Sequence, residues 1–269
     1  MGLRPLEQKA VKDVPLTDKV IIITGGTSGI GEACGRHFAE CGAKVVLASN
    51  QQEEGERLEQ ELRAEGRDAC FVYTDVTSEQ SVANLVDKTV KRHGRIDALH
   101  CNAGVWGQGR VTDFDDAAWD FLMGVNVKGV FYLAKHVVPV MEDQGKGVIL
   151  ITTSVAAFIG FPAHVLYCAS KSSLEALIRC LATDHAGKIR VVGVCPGTID
   201  TPMLAASCAG WDTPVKELYA EVEKKIPVRR LGQGADVAKA AAFLLSDDAA
   251  YINGTSLILD GGTMALPPW

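Results

Sequence analysis

The sequence predicts a single α/β domain in which helices cover both faces of a doubly wound, seven-stranded parallel sheet. Short apolar runs rich in valine and isoleucine alternate with longer segments of helical periodicity, a pattern typical of parallel strands joined by crossover helices. The chain has 269 residues, of which 47% are hydrophobic and 22% are charged, so it can bury one substantial core. It contains no internal repeat and no low-complexity linker.

The alternation gives the predicted elements in chain order. The strands lie at 19–24, 44–49, 69–74, 97–101, 147–153, 190–195 and 256–259. The helices lie near 30–41, 53–65, 79–93, 116–142, 165–187 and 235–246. Thr77 or Ser78 can cap the third helix, because a hydroxyl oxygen there can accept a hydrogen bond from a free backbone amide of the first turn.

One segment, 200–234, departs from this alternation. It contains Pro202, Pro214 and Pro227, with a short helical stretch at 215–225. A segment of this length outside the sheet is usually functional, so we expect a lid over the substrate. The predicted organisation is therefore an N-terminal extension at 1–18, followed by one catalytic domain at 19–269.

Charge and hydropathy exclude several classes of protein. The formal net charge is -6, and no basic run exceeds two or three residues, which argues against binding to nucleic acid. No stretch approaches the roughly 20 consecutive apolar residues of a membrane span, and residues 1–18 contain no apolar leader. A cytoplasmic protein that does not bind membranes is expected.

The eight cysteines do not indicate a metal or disulfide framework. No two have C-x-x-C spacing, and most lie in apolar runs, so we expect buried free thiols in a reducing compartment. No cluster of histidine, cysteine and aspartate has the spacing of metal ligands, so no metal is expected. Apart from His164, the histidines and the acidic run at 113–116 are expected at the surface.

A glycine-rich loop, T-G-G-T-S-G-I-G at 24–31, follows the first predicted strand and precedes a helix. Gly25 permits a tight turn, Gly29 permits close approach of a pyrophosphate, and Gly31 permits close packing of helix on strand. The N-terminus of the helix then faces the anion. An ordinary turn between strand and helix is the alternative for an isolated motif of this kind.

A second motif, Y-C-A-S-K at 167–171, places Tyr167 and Lys171 four positions apart on one helix face. Alone, the pair could be two residues on a solvated surface. Ser154 precedes the tyrosine by 13 residues (167 − 154), and Asn126 begins N-V-K-G in the preceding helix.

Together with N-A-G at 102–104, these motifs resemble the short-chain dehydrogenase/reductase family along nearly the whole chain. The resemblance implies a Rossmann-like fold and an oxidoreductase that moves a hydride between NAD or NADP and a secondary alcohol or ketone. It implies the catalytic residues Asn126, Ser154, Tyr167 and Lys171. The implied cofactor contacts are Gly25, Thr27, Ser28, Gly29, Ile30, Gly31, Ser49, Asn50, Asp75, Val76, Asn102, Ala103, Gly104, Tyr167, Lys171, Pro196, Gly197, Ile199 and Thr201.

The residue types suit that chemistry. A phenol can exchange a proton with the substrate oxygen during hydride transfer, but its ordinary pKa of about 10 is high for a base. We expect the Lys171 ammonium and the oxidised nicotinamide to lower the pKa of Tyr167. The resemblance also implies that Lys171 binds the nicotinamide ribose, that Ser154 donates to the substrate oxygen, and that Asn126 supports a water in a proton relay.

Cofactor choice depends on the end of the second strand, where an acidic residue binds the ribose hydroxyls of NAD and arginine accommodates the 2'-phosphate of NADP. Here Ser49 replaces the acid and Asn50 replaces the base, while Ser28 lies where many NADP-using relatives have a basic residue. Glu53 and Glu54 would repel a phosphate. The sequence therefore favours NAD over NADP.

Three short features resemble bacterial hydroxysteroid (bile acid) dehydrogenases: R-V-V-G-V at 190–194, the Q-E-E run after the second strand, and the G-V-I opening of the fifth. A steroid would require an apolar pocket. Trp106 and Trp211 could instead serve packing or association, and His164 could be a solvated loop residue. The predicted substrate contacts are Trp106, Ser154, Ala156, Phe161, Pro162, His164, Tyr167, Met203, Leu204 and Trp211.

Other functions remain open at this stage. The substrate could be an acyl thioester or a polyol or sugar, and a dinucleotide-binding regulator without turnover is a further alternative. An epimerase or dehydratase is disfavoured because it would normally have a tighter glycine loop and a longer C-terminal domain. The resemblance implies a homotetramer or homodimer that associates through the helices around 116–142 and 165–187.

Overall fold

Seven parallel strands form one sheet in the part of the chain that the computed structural model describes, residues 15–208 and 213–266. The strand order is β3-β2-β1-β4-β5-β6-β7. Each strand ends within one residue of its predicted limits, which confirms the predicted sheet. The strands are β1 (Val20–Thr24), β2 (Lys44–Ser49), β3 (Ala69–Tyr73), β4 (Ala98–Cys101), β5 (Gly147–Thr152), β6 (Ile189–Pro196) and β7 (Ser256–Leu259).

The helices follow the prediction with two differences described below, except that α6 ends at Asp184 and not at the predicted 187. The predicted caps include Ser78, whose hydroxyl accepts a hydrogen bond from the Ser81 amide at 3.3 Å. The helices are α1 (Gly29–Glu40), α2 (Gln52–Ala64), α3 (Glu79–His93), α4 (Asp116–Met123), α5 (Gly129–Gln144), α6 (Val165–Asp184), α7 (Pro202–Ser207), α8 (Val215–Lys225) and α9 (Gly234–Leu245).

The prediction of one continuous helix at 116–142 is wrong, because the segment is divided in two. A π-helical turn, Gly124–Lys128, separates α4 from α5 and contains Asn126, whose side chain is buried. Such turns often occur at functional sites. The apolar spacing of the sequence runs through this turn without interruption, so periodicity alone does not show it.

Helix α7 was not predicted, although its start signal is present. Thr201 precedes Pro202, and the Thr201 hydroxyl accepts a hydrogen bond from the Leu204 amide at 3.3 Å. A threonine cap followed by proline in the first turn is a standard helix start. Helix α8 lies at the predicted 215–225.

Two apolar layers enclose the sheet. Ile21 and Ile23 face the layer that contains Phe38 of α1, whereas Ile22 faces the layer that contains Leu85 of α3. Because both faces of β1 are buried, its sequence is an uninterrupted apolar run. This burial holds the strand ends in fixed positions relative to one another.

Sheet topology defines where a ligand can bind. Strands β2 and β3 lie on one side of β1, whereas β4 to β7 lie on the other side. The parallel strands β1 and β4 are neighbours at this change of side, and their carboxyl ends open onto the same crevice. In open α/β sheets, ligands bind in the crevice at this change of side. The glycine loop follows β1 and the N-A-G turn follows β4, so both motifs lie there.

Some surface and burial expectations need correction. His100 on β4 is fully buried rather than exposed, because β4 lies in the middle of the sheet. Cys180 on α6 is exposed, while Cys34 and Cys101 are buried, which raises the pKa of both thiols. Within the described ranges, no helix is long and apolar enough to cross a membrane. Most of the extension predicted at 1–18 lies outside those ranges.

Candidate active site

The glycine loop adopts a conformation that its residue types require. Gly25 and Gly29 have positive φ angles of 61° and 53°, in the left-handed region that favours glycine. A Cβ atom on Gly31 would lie 2.0 Å from the Gly25 carbonyl oxygen. Only glycine fits there, and the loop leads directly into the N-terminus of α1. The cradle therefore fits the phosphates of a dinucleotide.

The N-A-G turn is bonded to this loop. The Asn102 side-chain amide donates to the carbonyl oxygens of Thr24 and Gly25 at 3.2 and 3.3 Å. The Thr24 hydroxyl accepts from the backbone amides of Asn102 and Ala103 at 3.1 and 3.2 Å. These bonds join the ends of β1 and β4 across the crevice.

Polar side chains cluster at the carboxyl end of β2, and none of those described below is a cation. Ser49 is buried, and its hydroxyl lies 2.9 Å from the Thr27 hydroxyl. The Thr27 hydroxyl donates to the Gln51 side-chain oxygen at 2.7 Å. Asp75, after β3, accepts from the amide and hydroxyl of Thr77. These groups can bind hydroxyls, but none of them can neutralise a phosphate.

A continuous cleft of about 620 Å³ joins these features. It contains most of the predicted cofactor and substrate residues. Of the predicted set, Thr27, Gly31, Asn126 and Pro162 do not line it, and Trp211 lies outside the described residues. The predicted residues that line it are Gly25, Ser28, Gly29, Ile30, Ser49, Asn50, Asp75, Val76, Asn102, Ala103, Gly104, Trp106, Ser154, Ala156, Phe161, His164, Tyr167, Lys171, Pro196, Gly197, Ile199, Thr201, Met203 and Leu204.

Asn126 lies behind the cleft and holds its wall. Its side-chain oxygen accepts from the Val105 amide at 2.8 Å, and its amide donates to the Val105 carbonyl and the Ser170 hydroxyl, each at 3.0 Å. A Cβ atom on Gly104 would lie 3.4 Å from the Asn126 oxygen and 3.5 Å from Lys171 Nζ. Asn126 and Lys171 therefore both lie beside Gly104 of the N-A-G turn.

Tyr167, Lys171 and Ser154 come together at the inner end of the cleft. Tyr167 and Lys171 lie one turn apart on α6, and Lys171 Nζ lies 5.9 Å from the tyrosine ring centroid. The buried ammonium donates to the Thr152 carbonyl at 3.0 Å. Ser154, just beyond β5, hydrogen-bonds the phenol. Tyr167 and Ser154 can therefore act on one substrate oxygen, with the Lys171 ammonium beside the phenol.

The pKa of Tyr167 differs from the expectation. Burial raises the pKa of the phenol above its ordinary value, and the hydrogen bond from Ser154 lowers it by a smaller amount. Burial also lowers the pKa of Lys171 to about 8, so the ammonium is a weaker source of positive charge than an exposed lysine. In the chain alone, Lys171 does not produce the lowered phenol pKa that the sequence suggested.

The outer end of the cleft is aromatic and apolar. The ring centroids of Trp106 and His164 lie 5.6 Å apart, and those of Phe161 and His164 lie 6.2 Å apart. His164 Nδ1 lies 2.6 Å from the Pro162 carbonyl oxygen, which orients the ring. His164 is therefore a structured part of the wall rather than a solvated loop residue.

A profile for the family described as enoyl-(acyl carrier protein) reductase matches residues 25–264. The Arabidopsis thaliana protein named short-chain dehydrogenase reductase 3c is 40% identical over 259 residues, which cover 94% of this chain and 97% of that one. This chain belongs to the short-chain dehydrogenase/reductase family. It is an oxidoreductase of the alcohol dehydrogenase and ketoreductase kind, and the family uses NAD(P).

Two further relatives match this short-chain dehydrogenase/reductase over nearly their full length. The 2-(S)-hydroxypropyl-CoM dehydrogenase 3 of Xanthobacter autotrophicus is 38% identical over 252 residues, covering 93% of this chain and 98% of that one. The crystal structure of levodione reductase superposes with a TM-score of 0.88 at 33% identity, covering 93% of this chain and 99% of that one.

Sequence reasoning missed several residues of the wall. Phe121 and Val125 line the cleft, from α4 and the π-helical turn. They lie four positions apart, so both can lie on one helix face. The sequence instead predicts that this helix serves association between chains. Val105 and Val155, next to recognised motifs, also line the cleft. Within the described ranges, no group of three histidine, cysteine, aspartate or glutamate side chains could hold a metal ion.

Proposed function

We propose that this enzyme interconverts a secondary alcohol and the corresponding ketone on a substrate with a large apolar body, of the size of a hydroxysteroid or bile acid, and that it prefers NAD(H). One observation carries the proposal: the Tyr167, Ser154 and Lys171 side chains meet inside one cleft that runs from the glycine loop to an aromatic wall.

Each residue has a separate role in this proposal. The bound nicotinamide supplies or accepts the hydride. Tyr167 gives a proton to the forming alcohol oxygen or removes one from it, and Ser154 donates a hydrogen bond to that oxygen as it gains negative charge. Lys171 holds the ribose and adds positive potential near the phenol. Asn126 fixes the backbone at Val105 and supports a water that connects Lys171 with solvent.

The wall favours an apolar substrate. Trp106, Phe121, Phe161, Met203 and Leu204 are apolar or aromatic, and all five line the cleft. Among the described lining residues, Lys171 is the only lysine and there is no arginine. An acyl thioester or a sugar would require polar partners, which the five apolar side chains do not provide.

We further propose that the segment 200–234 is the substrate lid. Met203 and Leu204, on the short helix α7, line the cleft from this segment. No described residue of α7 or α8 is buried, so few core contacts restrain these helices. A lid of this kind can close over an apolar substrate and exclude water during proton transfer.

A parallel screen tests the substrate class and the cofactor. Secondary alcohols, hydroxysteroids and bile acids, polyols and acyl thioesters are each offered with NAD or NADP, and formation of reduced cofactor is followed by absorbance. We expect the highest kcat/KM for a hydroxysteroid or another large apolar alcohol, with NAD preferred by about tenfold because the adenosine end lacks a cation. Preference for a polyol or acyl thioester would overturn the substrate proposal.

Cofactor preference can be shifted toward NADP at Asn50, which is exposed at the rim of the cleft. In Asn50→Arg, the guanidinium can pair with a 2'-phosphate, so we expect kcat/KM for NADP to rise about tenfold. Gln52→Arg adds the same charge two residues away, outside the cleft lining, and is the matched control. Equal gains in the two variants would indicate a general charge effect, and a parent preference for NADP would contradict the assignment.

We also propose self-association through α4, α5 and α6. Trp119, Phe131 and Val165 on these helices are 51%, 56% and 47% exposed, so these helices offer apolar surface to a partner chain. Phe131→Asp should at least halve the molar mass measured by light scattering, whereas Tyr251→Asp, at a fully exposed site elsewhere, should not change it. A parent protein with the mass of one chain would contradict this proposal.

A further inference from the structure

His100 is a buried histidine beneath the cofactor site. It lies on β4, between β1 and β5, two residues before Asn102. Its side chain is fully buried, and burial lowers its pKa to about 3, so the ring is neutral. A neutral imidazole in an apolar sheet interior is costly unless it makes hydrogen bonds, so its partners should reveal its role.

The hydrogen bonds from His100 form a chain with a defined direction. Asn102 donates its amide protons to two backbone carbonyls, which turns its side-chain oxygen toward Thr152. The Thr152 hydroxyl donates its single proton to that oxygen at 3.2 Å. Thr152 can therefore only accept from His100, whose Nε2 lies 2.8 Å away.

This direction assigns the tautomer of His100. Nε2 carries the proton, and Nδ1 is the atom with a lone pair. Nδ1 is also the ring atom that has no partner among the described residues. A buried acceptor without a partner is tolerated more readily than a buried N–H without one. The unpartnered atom and the direction of the chain are therefore consistent.

Thr152 connects this chain to Lys171 as well. Its hydroxyl belongs to the chain from His100 to Asn102, while its carbonyl oxygen accepts from Lys171 Nζ at 3.0 Å. At the other end, Asn102 holds the carbonyl of Gly25 in the glycine turn. One buried threonine therefore joins the ribose-side lysine and the phosphate loop, and His100 is the only donor to its hydroxyl among the described residues.

We propose that His100 is a positioning residue for the dinucleotide: its Nε2–H orients the Thr152 hydroxyl, and through it the Asn102 amide that holds the glycine turn. This inference rests on the proposed function, because it assumes that the cleft binds a dinucleotide. The competing explanation is that His100 only fills space beside Phe38, whose ring centroid lies 6.1 Å away.

The test uses the full chain without substrate and measures the NADH dissociation constant by fluorescence titration. His100→Leu removes the donor, and Thr152→Val removes the hydroxyl with little change of shape. We expect each to weaken NADH binding about tenfold, the effect of one lost buried hydrogen bond. The double variant should be no weaker than either single variant, because either change breaks the same chain.

Two further variants separate positioning from folding. His100→Gln keeps an N–H donor at a similar reach and should restore binding to within about twofold of the parent. Thr89→Val removes a buried hydroxyl on α3, which bonds the Leu85 carbonyl away from the cleft, and should leave NADH binding unchanged. Thermal unfolding curves identify a temperature at which every variant is folded, and the NADH titrations are carried out at that temperature.

The outcomes distinguish this inference from the proposed function. If the parent binds no NADH, the proposed function fails. If the parent binds and His100→Leu binds equally well, His100 only fills space and this inference alone is wrong. If the two single-variant losses of NADH affinity multiply in the double variant, the two side chains act independently. The proposed hydrogen-bond chain from His100 to Asn102 would then be wrong.

Discussion

We expect Tyr167→Phe to lower kcat by about 10²- to 10⁴-fold, the range that a lost general acid or base produces. The phenol is the proton-transfer group proposed at the inner end of the cleft, where Ser154 hydrogen-bonds it. Phenylalanine keeps the ring and removes only the hydroxyl. NADH binding should therefore remain within about twofold of the parent, measured by titration alongside steady-state turnover with the best substrate from the screen.

Tyr132→Phe is the matched control. Tyr132 lies on α5 beneath Lys128 and does not line the cleft. Its loss of a hydroxyl should leave kcat unchanged. Turnover in Tyr167→Phe above about a tenth of the parent rate would show that another group moves the proton. Loss of NADH binding in the same variant would instead show that the tyrosine acts mainly in forming the site.

The pH dependence follows from the raised pKa of Tyr167. Oxidation of an alcohol needs the phenolate, which is scarce below that pKa, so kcat/KM for oxidation should rise with pH through neutrality and beyond. Reduction of a ketone needs the protonated phenol, which is present at neutral pH and lost as the pH rises through the pKa. Rate profiles in both directions check this, and Tyr167→Phe should lose both trends.

The parts of the site that lie on single strands or turns were predictable from the sequence. Gly25 and Gly31 are required by backbone geometry that other residues cannot adopt without strain or a clash, so their spacing can be recognised in the amino-acid sequence. The spacing of Tyr167 and Lys171 follows from one helical turn. In each case, local stereochemistry determines both the sequence pattern and the structure.

The parts that depend on contacts between distant segments were not predictable. In the sequence, His100 is an ordinary polar residue with a predicted surface position, and only the position of β4 between β1 and β5 buries it beside Thr152. The π-helical turn that presents Asn126 is similar: its partners Val105 and Ser170 come from other elements. Long-range pairing decides these features, and a single sequence contains no direct record of it.

The pKa values of Tyr167 and Lys171 depend on burial in the same way. Charge proximity alone predicted that the lysine would lower the pKa of the phenol. Lys171 is buried and Tyr167 is half-buried, however, and burial favours the neutral form of each: it raises the pKa of Tyr167 and lowers that of Lys171 to about 8. The ammonium therefore needs further support to remain charged, and the Thr152 carbonyl provides one hydrogen bond to it.

This environment defines the second large effect, Lys171→Met. Methionine fills a similar volume but removes the ammonium that donates to Thr152 and the proposed hydrogen bond to the ribose. We expect NADH binding to weaken about 30-fold, as for loss of one charge-assisted hydrogen bond, and kcat to fall about 10²-fold because the positive potential near the phenol is lost. Titration measures the first effect and single-turnover rates at saturating cofactor measure the second.

Lys135→Met is the control, because Lys135 is an exposed lysine that pairs with Glu79 at 2.6 Å and does not line the cleft. It should change neither quantity. The two effects at Lys171 are separable because they have different physical causes. If NADH affinity stays at the parent value while kcat falls, the lysine acts only through its potential at Tyr167. If affinity falls while the single-turnover rate is unchanged, it acts only as a ribose ligand, and proton transfer by Tyr167 does not need its charge.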